Sequence, residues 1–150
     1  MVKNLITYKE CLENGLLRRI PISQKEAENS LKTAYKWLSE AEKNLNAGAF
    51  NSSAISSYLA MFHASRSILF RDGFREKSHY CLARFLENNY VKKKELEEEW
   101  VIMLDHYRGL RHDDQYGTDF YVTKEEAEEA LNAANRFVER MEKLFSRMNS

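Results

Sequence analysis

The sequence predicts an all-α protein: an up-and-down bundle of four to five helices forming a single domain over residues 1–150. Three observations point there. One proline and five glycines in 150 residues leave long helices with little interruption. Apolar residues recur in alternating steps of three and four along several long stretches, the spacing of a bundle seam. Residues that start and stop helices fall between those stretches.

A short amphipathic helix is expected from Lys3 to Leu17, ending at the connector Arg18-Arg19-Ile20-Pro21, where the proline disfavours helical backbone just before it. Ser23 with Glu26 reads as a capping box and Ile22 as its staple onto Ala27, so the first long helix starts near Gln24. Its inner stripe is Ala27, Leu31, Ala34, Leu38, Ala41 and Leu45, and Gly48 marks the stop. A second long helix runs from Phe50 to Arg71 with Ala54, Tyr58, Met61, Phe62, Ser65 and Leu69 on one side, and Asp72-Gly73 ends it. A shorter helix from Ser78 to Asn88 leads to Lys92-Lys93-Lys94-Glu95, read as the solvated start of a third long helix that reaches Tyr116. Its buried stripe is Trp100, Met103, Tyr107 and Leu110, and Gly117 stops it. Thr123 with Glu126 makes a second capping box, with Val122 stapled against Ala127. The last helix buries Ala127, Leu131, Ala134, Val138, Met141 and Phe145.

Bulk composition narrows the partners. A chain of 150 residues buries roughly 70% of its unfolded surface without staples. Lys plus Arg and Asp plus Glu are balanced at 23 each, so no net positive field draws nucleic acid and any such contact needs a local patch. No apolar run approaches a membrane span, and the N-terminus lacks the layout of a signal peptide. Cys11 and Cys81 are far apart and match no metal or redox spacing, which reads as two reduced thiols in a cytoplasmic protein. Without a zinc motif or a glycine-rich phosphate loop, no metal and no cofactor are expected.

The residues that look most like a site lie between Leu104 and Gly117, where Asp105, His106, Arg108, Arg111, His112, Asp113, Asp114 and Tyr116 crowd together. On a continuous helix Arg108, His112 and Tyr116 stand one turn apart along one face, with Arg111 beside them nearer the apolar edge. One reading is a solvated ion-pair ladder, Asp105 with Arg108 and Arg111 with Asp114. Another is a grip on a nucleotide or RNA phosphate, with Tyr116 as a stacking face. A second basic group, Arg66, Arg71, Arg75, Lys77 and His79, would extend such a surface, although Asp72, Glu76 and an N-cap at Ser78 favour a structural role. His63 reads as a core or dimer-interface histidine, and Trp37, Trp100, Phe62, Phe70, Tyr58 and Tyr107 as packing residues.

The run Tyr58-Leu-Ala-Met-Phe-His-Ala-Ser-Arg-Ser-Ile-Leu-Phe-Arg-Asp-Gly-Phe-Arg-Glu-Lys-Ser-His79 resembles the HEPN domain family. It is most similar to a small prokaryotic branch that pairs a Met-Phe-His-Ala helix with a Glu-Lys-Ser-His loop, and Asn14-Gly-Leu-Leu-Arg-Arg19 resembles that branch's N-terminal segment. The resemblance spans nearly the whole chain. It implies an up-and-down bundle, a homodimer, and partnership with a minimal nucleotidyltransferase in which the HEPN protein is commonly the toxin. Catalytic members are metal-independent ribonucleases whose motif is an arginine, a polar residue, three further residues and a histidine. That motif maps onto Arg111 to Tyr116, with His112 in the polar slot and Tyr116 in place of the histidine. Unperturbed tyrosine has a pKa of about 10 against about 6.5 for histidine, so only about one in a thousand is ionised near pH 7. His112 is the alternative base, with Arg108 or Arg111 facing the developing phosphorane charge.

The function expected from these residues is a dimeric RNA- or nucleotide-binding component of a toxin-antitoxin-like module linked to a nucleotidyltransferase. Binding would fall to Arg108, Arg111, Tyr116, Arg75, Lys77 and His79. The catalytic alternative is a metal-independent ribonuclease using Arg111, His112 and Tyr116. A third reading is a non-catalytic subunit that regulates a nucleotidyltransferase through protein contacts.

Overall fold

The computed structural model describes the backbone of residues 6–116 and 121–148, and within it the side chains of 6–112 and 121–147. Its first helix is set by a capping box: the Thr7 hydroxyl accepts the Glu10 backbone N–H, and the Glu10 carboxylate accepts that of Thr7. This helix, α1 (Tyr8–Glu13), is shorter than expected, and residues 3–5 of the expected span lie outside the described residues. The connector is not a plain turn. Leu17–Arg19 (β1) pairs antiparallel with Phe74–Glu76 (β2), Leu17 opposite Glu76 and Arg18 opposite Arg75. Strands of three residues are too short to display a period, and each needs a partner that is remote in sequence.

Helix α2 (Gln24–Asn46) starts where Ser23 accepts the Glu26 backbone N–H, and it buries Ala27, Ala34, Leu38 and Ala41. Leu31 and Leu45 are only half-buried. Ile22 does not form the expected staple; it stays 71% exposed and lies over Gly73. Gly73 caps the next helix, α3 (Phe50–Asp72), at φ 80°, and a Cβ there would come within 3.0 Å of both the Ile20 carbonyl oxygen and Ile22 Cγ1. Only glycine meets both demands.

Helix α3 is the centre of the bundle, packed by α2 and by the elements that follow it. Tyr58, Ala60, Met61, Ala64, Ile68 and Leu69 are buried, and small serine and alanine side chains let its neighbours approach closely. The buried hydroxyls of Ser53, Ser65 and Ser67 donate to the carbonyls of Ala41, Met61 and Ala64, so their burial leaves no unmet donor. After β2, Ser78 caps α4 (His79–Leu86), which runs into a π-helical turn over Glu87–Val91.

Cys11 of α1 and Cys81 of α4 form a disulfide, with Cα atoms 5.8 Å apart and a sequence separation of 70. This overturns the expectation of two separate reduced thiols. Packing of α1 against α4 brings the pair together, a proximity that sequence spacing does not report.

Helix α5 (Glu98–Tyr116) begins later than expected, because Lys92–Lys94 belong to the turn that follows the π-helical segment and Lys94 takes φ 62°. Its deepest residues are Val101 and Leu104, whereas Trp100, Met103, Tyr107 and Leu110 are half-buried and Ile102 is 60% exposed. The stripe is rotated because α5 sits at the edge of the bundle against α3, α4 and α6. The expected stop at Gly117 lies outside the described residues. Helix α6 (Lys124–Met148) starts with both bonds of the Thr123–Glu126 capping box, flanked by buried Val122 and Ala127. Ala133, Phe137 and Leu144 join its predicted stripe, which is wide because α6 packs on α2 and α3 together. No described helix is long and apolar enough to cross a membrane.

Candidate functional site

Helical period places Tyr58, Phe62 and Arg66 one turn apart on a single face of α3. Strand alternation in β2 turns Phe74 and Glu76 inward and Arg75 outward, and the Ser78 cap sets His79 as the first residue of α4. Asp105, Arg108 and Arg111 come from α5. The four elements converge. The Tyr58 hydroxyl lies 2.8 Å from His79 Nδ1, and the His79 ring stacks on Phe62 with centroids 4.1 Å apart. The Arg111 guanidinium sits 5.8 Å from the Tyr58 ring centroid.

Two carboxylates here are already engaged. Glu76, its side chain 2% exposed, accepts from Arg66 Nε at 2.7 Å, and Arg66 also lies over the Phe62 ring. Asp105 bridges Arg84 and Arg108, both of which stack on Tyr80, so the expected Asp105–Arg108 pair forms as part of a larger network. Unlike Arg66, Arg84 and Arg108, Arg111 is in no ion pair among the described residues, and its Nε, like that of Arg84, is buried there with no hydrogen-bond partner. Arg84 also lies 3.6 Å from Glu87, so four guanidinium groups face three carboxylates. Among the described residues no three histidine, cysteine or carboxylate side chains gather as metal ligands, and the excess of cations suits an anion.

The titratable groups fit that charge balance. Burial, reinforced by Arg111, Arg66, Arg108 and His63, lowers His79 to about 4. Burial and Arg66 lower His63 to about 4 as well. Burial raises the Tyr58 phenol, so it stays protonated at neutral pH and can donate to His79 Nδ1, leaving the imidazole proton on Nε2. Stability should follow these shifts. An unfolded histidine titrates near 6.5, so between pH 6.5 and 4 the unfolded chain binds more protons than the folded one. The His79 contribution is thus complete above pH 6.5 and is lost as pH falls toward 4, by roughly 1–2 kcal/mol after allowing for partial exposure. Thermal unfolding of native protein and His79→Gln across this window checks it: the variant should show the shallower loss of Tm.

Of the residues singled out from sequence, Arg108, Arg111 and His79 come together. His112 is exposed on α5, and the side chains of Asp114 and Tyr116 lie outside the described residues. Arg75 and Lys77 are exposed on the two-stranded sheet, near the cluster but not in it. Sequence alone assigns Tyr58 to packing and Arg66 to a structural role, and the structure places both in the cluster. The four-residue steps from Tyr58 to Phe62 to Arg66 were the available signal, obscured because every side of α3 is rich in apolar and small residues.

The HEPN domain model matches residues 27–144. The chain is 26% identical over 121 residues to a Methanocaldococcus jannaschii protein named "Putative toxin MJ0142", covering 80% of this chain and 82% of that one. It is 27% identical over 110 residues to a second protein of that organism, "Putative toxin MJ0605", covering 69% of this chain and 81% of the relative. The match takes in every element of the convergence, Tyr58 to Arg66 of α3, Glu76 and His79, and Asp105 to Arg111 of α5, and the chain belongs to the HEPN domain family.

Proposed function

We propose that this HEPN protein binds a phosphate group of RNA or of a nucleotide between α3, α4 and α5, as a homodimer in a toxin-antitoxin-like module linked to a nucleotidyltransferase. The observation that carries the binding site is Arg111: a half-buried guanidinium with an unpartnered Nε, held over Tyr58 beside a neutral histidine. Arg108 and Arg66 add charge at the rim, His79 Nε2 offers a further donor, and Tyr116 supplies the stacking face of this reading. The names of the two relatives support the toxin role. Exposed Ile102, with His106 and Gly109 on the same face of α5, supports a helix-to-helix dimer contact. A cytoplasmic setting belongs to the same reading, and cell fractionation with immunodetection of the protein tests it.

Fluorescence anisotropy with labelled single-stranded RNA, and competition by AMP, tests the site. Binding by native protein that survives Arg111→Ala unchanged would move the site elsewhere. Light scattering reports the dimer, and co-purification with a nucleotidyltransferase encoded nearby reports the module.

A second reading, metal-independent ribonuclease, gains from one observation: a neutral imidazole, His79, lies beside Arg111. In this reading an imidazole nitrogen, of His112 or of His79 Nε2 in the tautomer whose Nδ1–H donates to the Tyr58 hydroxyl, accepts the 2′-hydroxyl proton as that oxygen attacks phosphorus; Arg111 stabilises the phosphorane, and the 5′-oxygen leaves with a proton as the 2′,3′-cyclic phosphate forms. His79 joins His112 as a candidate for that proton. Incubation with single-stranded RNA in EDTA, comparing native protein with His79→Gln and His112→Ala, decides it. No cleavage by the native protein ends the enzyme reading.

A further inference from the structure

The outer face of the β1–β2 sheet carries a charge arrangement that folding alone does not favour. Arg18 lies directly opposite Arg75, and Leu16 accepts the backbone N–H of Lys77, so Lys77 extends the ladder on the same face. Like charges directly opposite one another destabilise a sheet. All three side chains are exposed, and among the described residues none forms an ion pair. They line a recess of about 420 Å³ with Ile20 and Glu76, and Glu76, the only acid there, is turned inward onto Arg66. Arg18 Nε donates to the Gly15 carbonyl at 3.2 Å, which steadies the side chain. A chain with zero net charge has thus gathered a local cationic patch whose one acidic lining residue, Glu76, is already paired with Arg66.

Position gives this patch a direction. Lys77 precedes His79 by two residues, at most about 7 Å of chain. Arg75 and Lys77, two apart on one strand, have Cα atoms roughly 7 Å apart, and the cross-strand Arg18–Arg75 step is about 5 Å. Cations at such intervals can meet successive phosphodiesters of an extended strand, with Ile20 as the apolar member of the recess lining.

We propose that this face, Arg18, Arg75 and Lys77, is the track along which single-stranded RNA continues away from the Arg111 site, so that the ligand is an oligonucleotide rather than a mononucleotide. The inference rests on the phosphate-binding reading of Arg111. Each phosphate contact removed should make the salt dependence of single-strand binding shallower by roughly 0.7 in log–log slope.

The test compares 5′-labelled oligouridylates of three and twelve nucleotides, at several salt concentrations, on native protein, Arg18→Gln/Arg75→Gln and Arg111→Met. The double variant should bind the twelve-mer at least fivefold more weakly with a shallower salt slope, bind the three-mer as native does, and unfold at the native Tm or slightly above it. Equal twelve-mer affinity and slope in the double variant overturn the track. So does equal competition by poly-glutamate of matched charge, which would mark a surface for acidic protein. If Arg111→Met binds both oligomers as native does while the double variant loses the twelve-mer, the Arg111 reading fails and the cationic face stands. Absence of binding by native protein overturns both.

Discussion

Arg111→Met should weaken RNA and nucleotide binding by about 10- to 100-fold and leave the protein at least as stable as before. A charge-assisted hydrogen bond to phosphate contributes about 1.5–3 kcal/mol, and 1.4 kcal/mol is tenfold in affinity. The stability half follows from what Arg111 lacks. Its Nε is cut off from water without a hydrogen bond among the described residues, an arrangement that destabilises the unliganded fold. Methionine keeps an apolar stem in the narrow cleft that Arg111 shares with Ala54, Leu110 and Val122. It gives up one cation–π contact with Tyr58, about 0.5–1 kcal/mol, which the relief of the unmet donor offsets. Anisotropy and thermal unfolding on the same preparation decide between roles. Lost affinity at constant Tm marks a ligand-binding arginine; lost Tm at constant affinity marks a structural one.

The second large effect is on the fold that positions the site. Arg66→Met should destabilise the protein by about 3–5 kcal/mol, because it leaves the Glu76 carboxylate buried without its cation. For a chain of this size that is a fall in Tm of about 10 °C. Glu76 has little slack, since its Oε2 already lacks a partner. Removing both charges, in Arg66→Met/Glu76→Leu, should recover most of the loss, since an apolar pair of similar volume has no buried charge to desolvate. A single variant within 2 °C of native Tm would mean that the ion pair does not hold β2 against α3. Calorimetry on the two variants separates these outcomes.

The chemistry was partly legible and partly hidden. Arg108 and Arg111 stood out in a dense run of ionisable residues, and His79 stood out beside Arg75 and Lys77. What could not be read was which of them meet. Tyr58 looks like a packing residue, and its ring is one, but its hydroxyl reaches a histidine 21 residues later. Glu76 stands between Arg75 and Lys77 in the sequence, and strand alternation turns it inward onto Arg66. The α5 stripe was misplaced by one residue because α5 is an edge helix packed from more than one side, and period alone does not say from which.

The sequence by itself determined the helical class, the start of α2 at Ser23, the end of α3 at Gly73, the capped start of α6 and the candidacy of Arg111. Each of these depends on residues within about a turn or two of one another, or on a repeat that the chain displays along its own length. The tertiary structure alone decided the β1–β2 pairing with its opposed arginines, the Cys11–Cys81 bond, and the gathering of Tyr58, His79 and Arg111. Those features join segments that no local pattern connects, and they exist only where the α2–α3 hairpin carries β2 and α4 back to β1 and α1 and α5 then packs across α3.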